Sequence, residues 1–199
     1  MNFLAHTYLS PKNDLIMLGN LSGDFVKGKY MKGLHIDIST GARLHRAIDT
    51  YTDSHTDFKS AKRIISPYFN HYSGVLIDMF FDHFLAKNWE EQAPEEFNKH
   101  INYVYEVGIL NSKILPIKFQ PVLPIMIQHN WLSMYANYEG LTKILKQMTH
   151  RIKNKALLYE SVDLLIKNEA ELEYFFNRFW LSITSDFDTF PKKNIHLKM

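Results

Sequence analysis

The sequence predicts an all-α protein, a single-domain bundle of about seven to eight helices, and three observations carry that expectation. Apolar residues recur at three- and four-residue spacing along most of the chain. The Val/Ile/Thr alternation of strands is rare, and no repeat or low-complexity linker divides the chain. With 46% hydrophobic and 22% charged residues over 199 positions, the chain can bury a full core without a disulfide or a structural metal. Any metal inferred therefore needs a chemical reason.

Taken in order, helices are expected over 13–27, 39–54, 57–70, 73–89, 94–111, 121–137, 139–149 and 154–184, the last as one long helix or two. The first holds Gly19 and Gly23, whose cost in a helix interior points to close approach of another helix or a ligand. Ser39 and Thr40 are placed to cap the second, Ser73 the fourth, and Pro94 suits the first turn of the fifth. Lys113 to Pro124, with three prolines, reads as a connector, and residues 186–199 as a loose tail of the domain that spans 1–199.

The chain has no cysteine. That excludes disulfide scaffolds, thiolate zinc sites and cysteine nucleophiles, and makes the cytoplasm the expected compartment. No basic leader precedes an apolar core before Asp14, and no apolar run approaches the roughly 18–20 residues of a membrane span. A net charge of +2 is not that of a nonspecific nucleic-acid binder.

Three clusters carry chemistry. In Gly74 to Trp89 a helix would be apolar on nearly every side except at Asp78, Asp82 and His83. A buried carboxylate needs a partner, a hydrogen-bond donor or a cation, so each residue alone reads as a salt bridge or cap, and the three together as a site. Asp78 and Asp82 share one face, while His83 lies about 100° further round. In the second cluster His45, Asp49 and Asp53 descend one helical row beside Leu44, Ala47, Ile48 and Tyr51. Imidazole and carboxylate at that spacing either form an exposed ion pair or hold one cation, with nitrogen and oxygen donors suited to manganese, magnesium, iron or zinc. Arg43 and Arg46 flank them as phosphate contacts or plain surface charge. In the third, Asn20 and Asp24 are again four apart. His6 reads as a core histidine unless it faces one of these groups.

These residues also carry a resemblance. Met1 to His6, Gly19-Asn-Leu-Ser-Gly-Asp-Phe-Val-Lys-Gly28, Arg43 to Asp53 and Gly74 to Trp89 together resemble the acyl carrier protein phosphodiesterase family, which is related to HD-type metal phosphohydrolases. Asn130 to Tyr135 and Met148 to Arg151 extend the match more weakly. The resemblance implies an HD-like helical fold and hydrolysis of the 4'-phosphopantetheine arm from holo-acyl carrier protein, with a divalent cation, manganese favoured. It implies Asp24, His45, Asp49 and Asp82 as ligands, with Asp78 and His83 ligating or orienting. His6 or His83 would protonate the leaving serine oxygen, Asn20 would join the catalytic group, and Arg46 or Lys27 would balance charge. HD ligand roles do not transfer directly, because Asp82-His83 stands in reversed order. Lys27, Lys29 and Arg46 would form a basic rim for an acidic carrier. Two other readings use the same residues: an HD-like phosphohydrolase acting on a nucleotide or another small phosphodiester, and a noncatalytic module binding a carrier protein or metal.

Overall fold

The computed structural model describes residues 1–27, 31–149 and 157–187, and among them every regular element is an α-helix or a 3-10 turn. The helices are α1 (Phe3–Tyr8), α2 (Asp14–Leu21), α3 (Ile36–Ser54), α4 (Thr56–Phe69), α5 (Ser73–Lys87), α6 (Trp89–Gln92), α7 (Phe97–Leu110), α8 (Val122–Gln128), α9 (Tyr138–Thr149), α10 (Ser161–Lys167) and α11 (Glu169–Phe187). No helix among the described residues is long and apolar enough to cross a membrane.

The core forms around α5. Leu76, Ile77, Phe80, Phe81, Phe84 and Leu85 are all fully buried, so this helix is surrounded, as its all-round apolar sequence requires. The Phe81 ring meets Phe58 of α4 at 5.8 Å and Phe176 and Phe179 of α11 at 5.5 and 5.3 Å, which fixes both helices against one side. On the other side Asp82 reaches α1. A six-residue helix is unstable alone, because nucleation costs more than its few hydrogen bonds return. Here its free N–H groups are met from outside: Asn2 Oδ1 accepts from Phe3 at 2.8 Å, and Asp82 accepts from Asn2, Leu4 and Ala5 at 3.0, 2.8 and 3.3 Å.

Helices α2 and α3 cross backbone to backbone. A methyl group on Gly19 would sit 2.2 Å from the Ile38 carbonyl oxygen, and one on Gly41 would sit 2.1 Å from that of Ile16. Gly19 thus marks the approach of a helix. Gly23 marks that of a side chain, since its own β-carbon would overlap the His45 ring at 2.2 Å. The crossing sets Asn20 directly beside His45.

Several expected boundaries move, each for a local reason. The first predicted helix stops at Leu21, where the Ser22 hydroxyl donates back to the Leu18 carbonyl and a 3-10 turn, Gly23–Phe25, follows. Helix α3 begins at Ile36, capped by His35 Nδ1; Ser39 and Thr40 lie inside it and donate to the Ile36 carbonyl. Ser73 opens α5 but donates to Asn70 rather than capping. Pro94 precedes α7, which starts at Phe97. The 121–137 segment breaks after α8, where Asn130 adopts φ of 47°, and continues as a 3-10 turn over Ser133–Ala136. The last segment is two helices, and α11 runs through Phe187, into the expected tail. Residues 154–156, Arg151, Lys29 and the tail from 188 onward lie outside the described residues. Helix α1 was not anticipated, being too short to show a period.

Gly41→Ala is expected to destabilise the protein by about 3 kcal/mol in urea denaturation, since neither backbone at the crossing can retreat without shifting a helix. Gly74→Ala, where the added carbon meets nothing closer than 3.8 Å, should instead leave stability equal or raise it by up to about 1 kcal/mol.

Candidate metal centre

The α1, α2 and α3 segments converge on two stacked imidazoles. The rings of His6 and His45 lie 3.9 Å apart and 18° from parallel, both buried. Asn20 holds both. Its side-chain nitrogen donates to the His6 carbonyl at 2.7 Å and to Ser10 Oγ at 3.0 Å, so its oxygen faces His6 Nδ1, at 2.9 Å, as acceptor. The Asn20 main-chain carbonyl faces His45 Nδ1 at 2.8 Å. A carbonyl only accepts, so both histidines carry their proton on Nδ1 when neutral and turn a lone pair on Nε2 toward the same point. This is the arrangement by which a hydrogen bond on one ring nitrogen prepares the other as a metal ligand.

Asp49 stands at that point. Its two oxygens lie 3.2 Å from His6 Nε2 and 3.2 Å from His45 Nε2. The three ligand atoms fall within 4.8 Å of one another, and His6 Nε2 is closed to solvent with no hydrogen bond of acceptable geometry. A buried nitrogen without a partner, beside a second imidazole and a carboxylate, is the environment that a divalent cation satisfies. Asp24, exposed on the 3-10 turn, adds an oxygen 3.2 Å from His45 Nε2.

The charges respond to this crowding. Burial and the neighbouring His45 push His6 down to about 4. For His45 burial also acts downward, but contacts to Asp24 and Asp49 outweigh it and raise the imidazole to about 9. Burial acts against ionisation of Asp49, yet the two histidines hold its carboxyl well below the usual range. Asp24 is lowered through its contact with His45. The stack thus carries one positive charge between two carboxylates.

An acidic pocket of about 270 Å³ opens on this group, walled by Asp24, Asp49, Asp53 and Asp78 together with Met1, Asn2 and Val75. Asp78 Oδ1 lies 2.5 Å from the Met1 amino group. Asp24, Asn2 and Val75 also border a second cavity of about 280 Å³, whose remaining wall is uncharged: Phe3, Phe25, Met79, Ile125, Trp131, Tyr135 and Ile144 among others. An ion-binding pocket and an apolar groove therefore share one wall.

A family model for acyl carrier protein phosphodiesterases matches residues 1–183. The chain belongs to the acyl carrier protein phosphodiesterase family. Curated relatives of that name share its length. The protein of Photorhabdus laumondii is 30% identical over 184 residues, covering 90% of this chain and 91% of its own. That of Pectobacterium atrosepticum is 30% identical over 181 residues, covering 90% and 94%, and that of Yersinia enterocolitica 30% over 190 residues, covering 93% and 96%. No solved structure matches. The chain is an enzyme of this phosphodiesterase family, a hydrolase.

For this phosphodiesterase the structure brings His6, Asn20, Asp24, His45 and Asp49 into one contact group, sets Asp24, Asp49 and Asp78 on the pocket wall, and holds four expected residues, Asp82, His83, Arg46 and Lys27, apart from both. Asp82, expected as a metal ligand, is fully buried and its oxygens accept from the α1 N–H groups. Burial pushes it up to about 7, against the pull of the amino group and those N–H donors. His83 donates from Nδ1 to the Tyr135 carbonyl at 2.7 Å and lies 5.0 Å from the Tyr138 ring, and it does not line the acidic pocket. The Arg46 guanidinium donates to the Val26 carbonyl at 2.8 Å and meets Met31 Sδ at 3.3 Å, bracing the turn rather than facing the pocket. Lys27 is exposed and does not line the pocket. His6, expected as a proton donor, belongs to the group that could hold a metal ion. Asp53, read only as part of the helical row, walls the pocket.

If the group holds a divalent cation, Asn20→Ala is expected to weaken that cation's binding about 10- to 100-fold in calorimetric titration, because both imidazoles lose their orientation. Asp82→Ala should act on the fold instead, costing about 3 kcal/mol in denaturant unfolding by leaving the α1 N–H groups unpaired. A loss of metal affinity without a loss of stability in that variant would restore Asp82 as a ligand.

Proposed function

We propose that this chain hydrolyses the phosphodiester between the 4'-phosphopantetheine arm and a serine of holo-acyl carrier protein, releasing apo-carrier and free phosphopantetheine. One observation supports this reading above the others: the acidic pocket beside His6, His45 and Asp49 shares a wall with a groove whose lining is uncharged apart from Asp24. A cation held by those three residues, with Asp24 joining them, would supply Lewis-acid stabilisation of charge on the phosphoryl group. The donor set is mixed nitrogen and oxygen without thiolate, which suits manganese and is compatible with magnesium, iron or zinc.

The chain's own residues do the rest. Asn20 fixes both imidazoles. Asp53, at the pocket wall, is placed to orient a water and take its proton. The groove receives the arm, a neutral chain of amide and methylene groups, against aromatic and aliphatic walls. Trp131 borders it with an indole N–H that is closed to solvent and has no hydrogen-bond partner, a donor suited to an amide carbonyl. A nucleotide would bring further negative charge to a groove whose one charged residue is Asp24, so the carrier arm is favoured over nucleotide phosphodiesters. The module that only binds is disfavoured because the polar pocket has room beside the ligands for a reacting group. The enzyme works in the cytoplasm as a single domain, without nucleic acid or membrane.

The test is the intact mass of holo-acyl carrier protein after incubation with purified enzyme. With manganese, the phosphopantetheine mass should be lost; with chelator it should remain; and His45→Ala and Asp49→Ala should each slow the loss at least about 100-fold. An unchanged carrier mass with manganese bound would overturn the reading. Trp131→Phe, which keeps the ring and removes the donor, is expected to lower kcat/KM for the carrier about 5-fold.

A further inference from the structure

A third cavity plays no part in the chemistry described so far. It is a cleft of about 720 Å³ between the residues that follow the 3-10 turn and the proline-containing connector ahead of α8. Its floor is apolar, from Phe25, Val26, Leu34 and Leu115, and the Phe25 ring is fixed there against Phe119 at 5.0 Å. Its rim carries Lys32, Lys113 and Lys118. Ile114 and Ile117 stand beside the last two, and Ile117 is 84% exposed.

Among the described residues, none lining the cleft is acidic. The contrast with the neighbouring pocket, walled by four aspartates, is complete over a short stretch of chain, because Asp24 belongs to the acidic pocket and Phe25 to the cleft. Phe25 also borders the groove. Phe25 thus joins the wall of the cleft to that of the groove, and Asp24 joins the groove to the acidic pocket, so the three are neighbours.

We propose that this cleft is the docking surface for the carrier protein itself, and that it seats an acidic, amphipathic helix of that partner. The inference rests on the function proposed above. The chemistry of the lining selects the partner: lysines around an apolar floor match a helix that shows carboxylates on either side of an apolar ridge. Exposed apolar residues such as Ile117 are unfavourable in water and are covered when such a helix docks. Continuity through Phe25 gives the geometry, since a carrier seated in the cleft can lay its arm in the groove and bring its phosphodiester to the aspartates. Lysines on the rim also accelerate encounter with an acidic partner, and that part of the attraction falls with salt.

The experiment compares wild type, Lys32→Glu/Lys113→Glu and Ile117→Glu on two substrates in the presence of manganese: holo-acyl carrier protein, and bis(p-nitrophenyl) phosphate, which has no carrier to dock. Thermal melts establish that the variants are folded. The expected result is a fall in kcat/KM for the carrier of at least about 10-fold in the double variant, mostly through KM, with turnover of the small diester unchanged. The steep decline of the wild-type carrier rate with added salt should flatten in the same variant. Wild-type carrier turnover that is equally fast and equally salt-dependent in the folded double variant overturns the docking surface and leaves the proposed activity standing. Small-diester hydrolysis without carrier turnover in the wild type overturns the activity, and the docking surface with it.

Discussion

The site depends on the place where α2 and α3 touch without side chains between them. Gly19 and Gly41 let the two backbones meet at a separation that any β-carbon would forbid. That closeness puts the Asn20 carbonyl 2.8 Å from His45 Nδ1 while its side chain reaches His6. One buried asparagine then sets the tautomer of two histidines on two different helices. Wider spacing would separate them, and no substitution among the ligands themselves would bring them back.

Around that crossing the protein separates its charges. Carboxylates gather at the mouth of the metal centre, uncharged aromatic and aliphatic walls line the groove, and lysines edge the cleft beyond. The stacked imidazoles fit this division: with the rings 3.9 Å apart, a charge on His45 disfavours one on His6, and the aspartates on either side supply the balance. A cation entering this site would find the His6 lone pair turned inward and negative charge already in place, and would displace the proton that His45 Nε2 shares with the aspartates.

Most of the fold was legible in the sequence because long helices repeat their apolar face many times, and α3, α4, α5 and α9 sit within a few residues of where periodicity puts them. Local chemistry moved the ends: the Ser22 back-bond, the His35 cap and the left-handed Asn130 leave no periodic trace. At the site, the spacing of His45 and Asp49 carried real information, since partners four apart on a helix meet, whereas Asn20 and Asp24 lie on different elements and each reaches His45 separately. Asp82 shows where spacing stops. A carboxylate embedded in an apolar helix must be satisfied, but the sequence does not say by what, and a helix of six residues without a period of its own was the answer. His6 was undervalued for the related reason that its neighbours are 14 and 39 positions away in sequence, brought near only by the fold.

The cap on α1 has a consequence for how the molecule comes to be made. His6, Asn20, Asp24, His45 and Asp49 all lie within the first quarter of the chain, yet the carboxylate that holds the His6 helix belongs to a residue 77 to 80 positions later. During synthesis the ligands exist well before the element that fixes one of them. The entropy of closing that long loop is met only when α5 is present to bury its aromatic face. The histidine pair is thus completed late, together with the core, and a chain able to hold the cation in this geometry is one that has already folded.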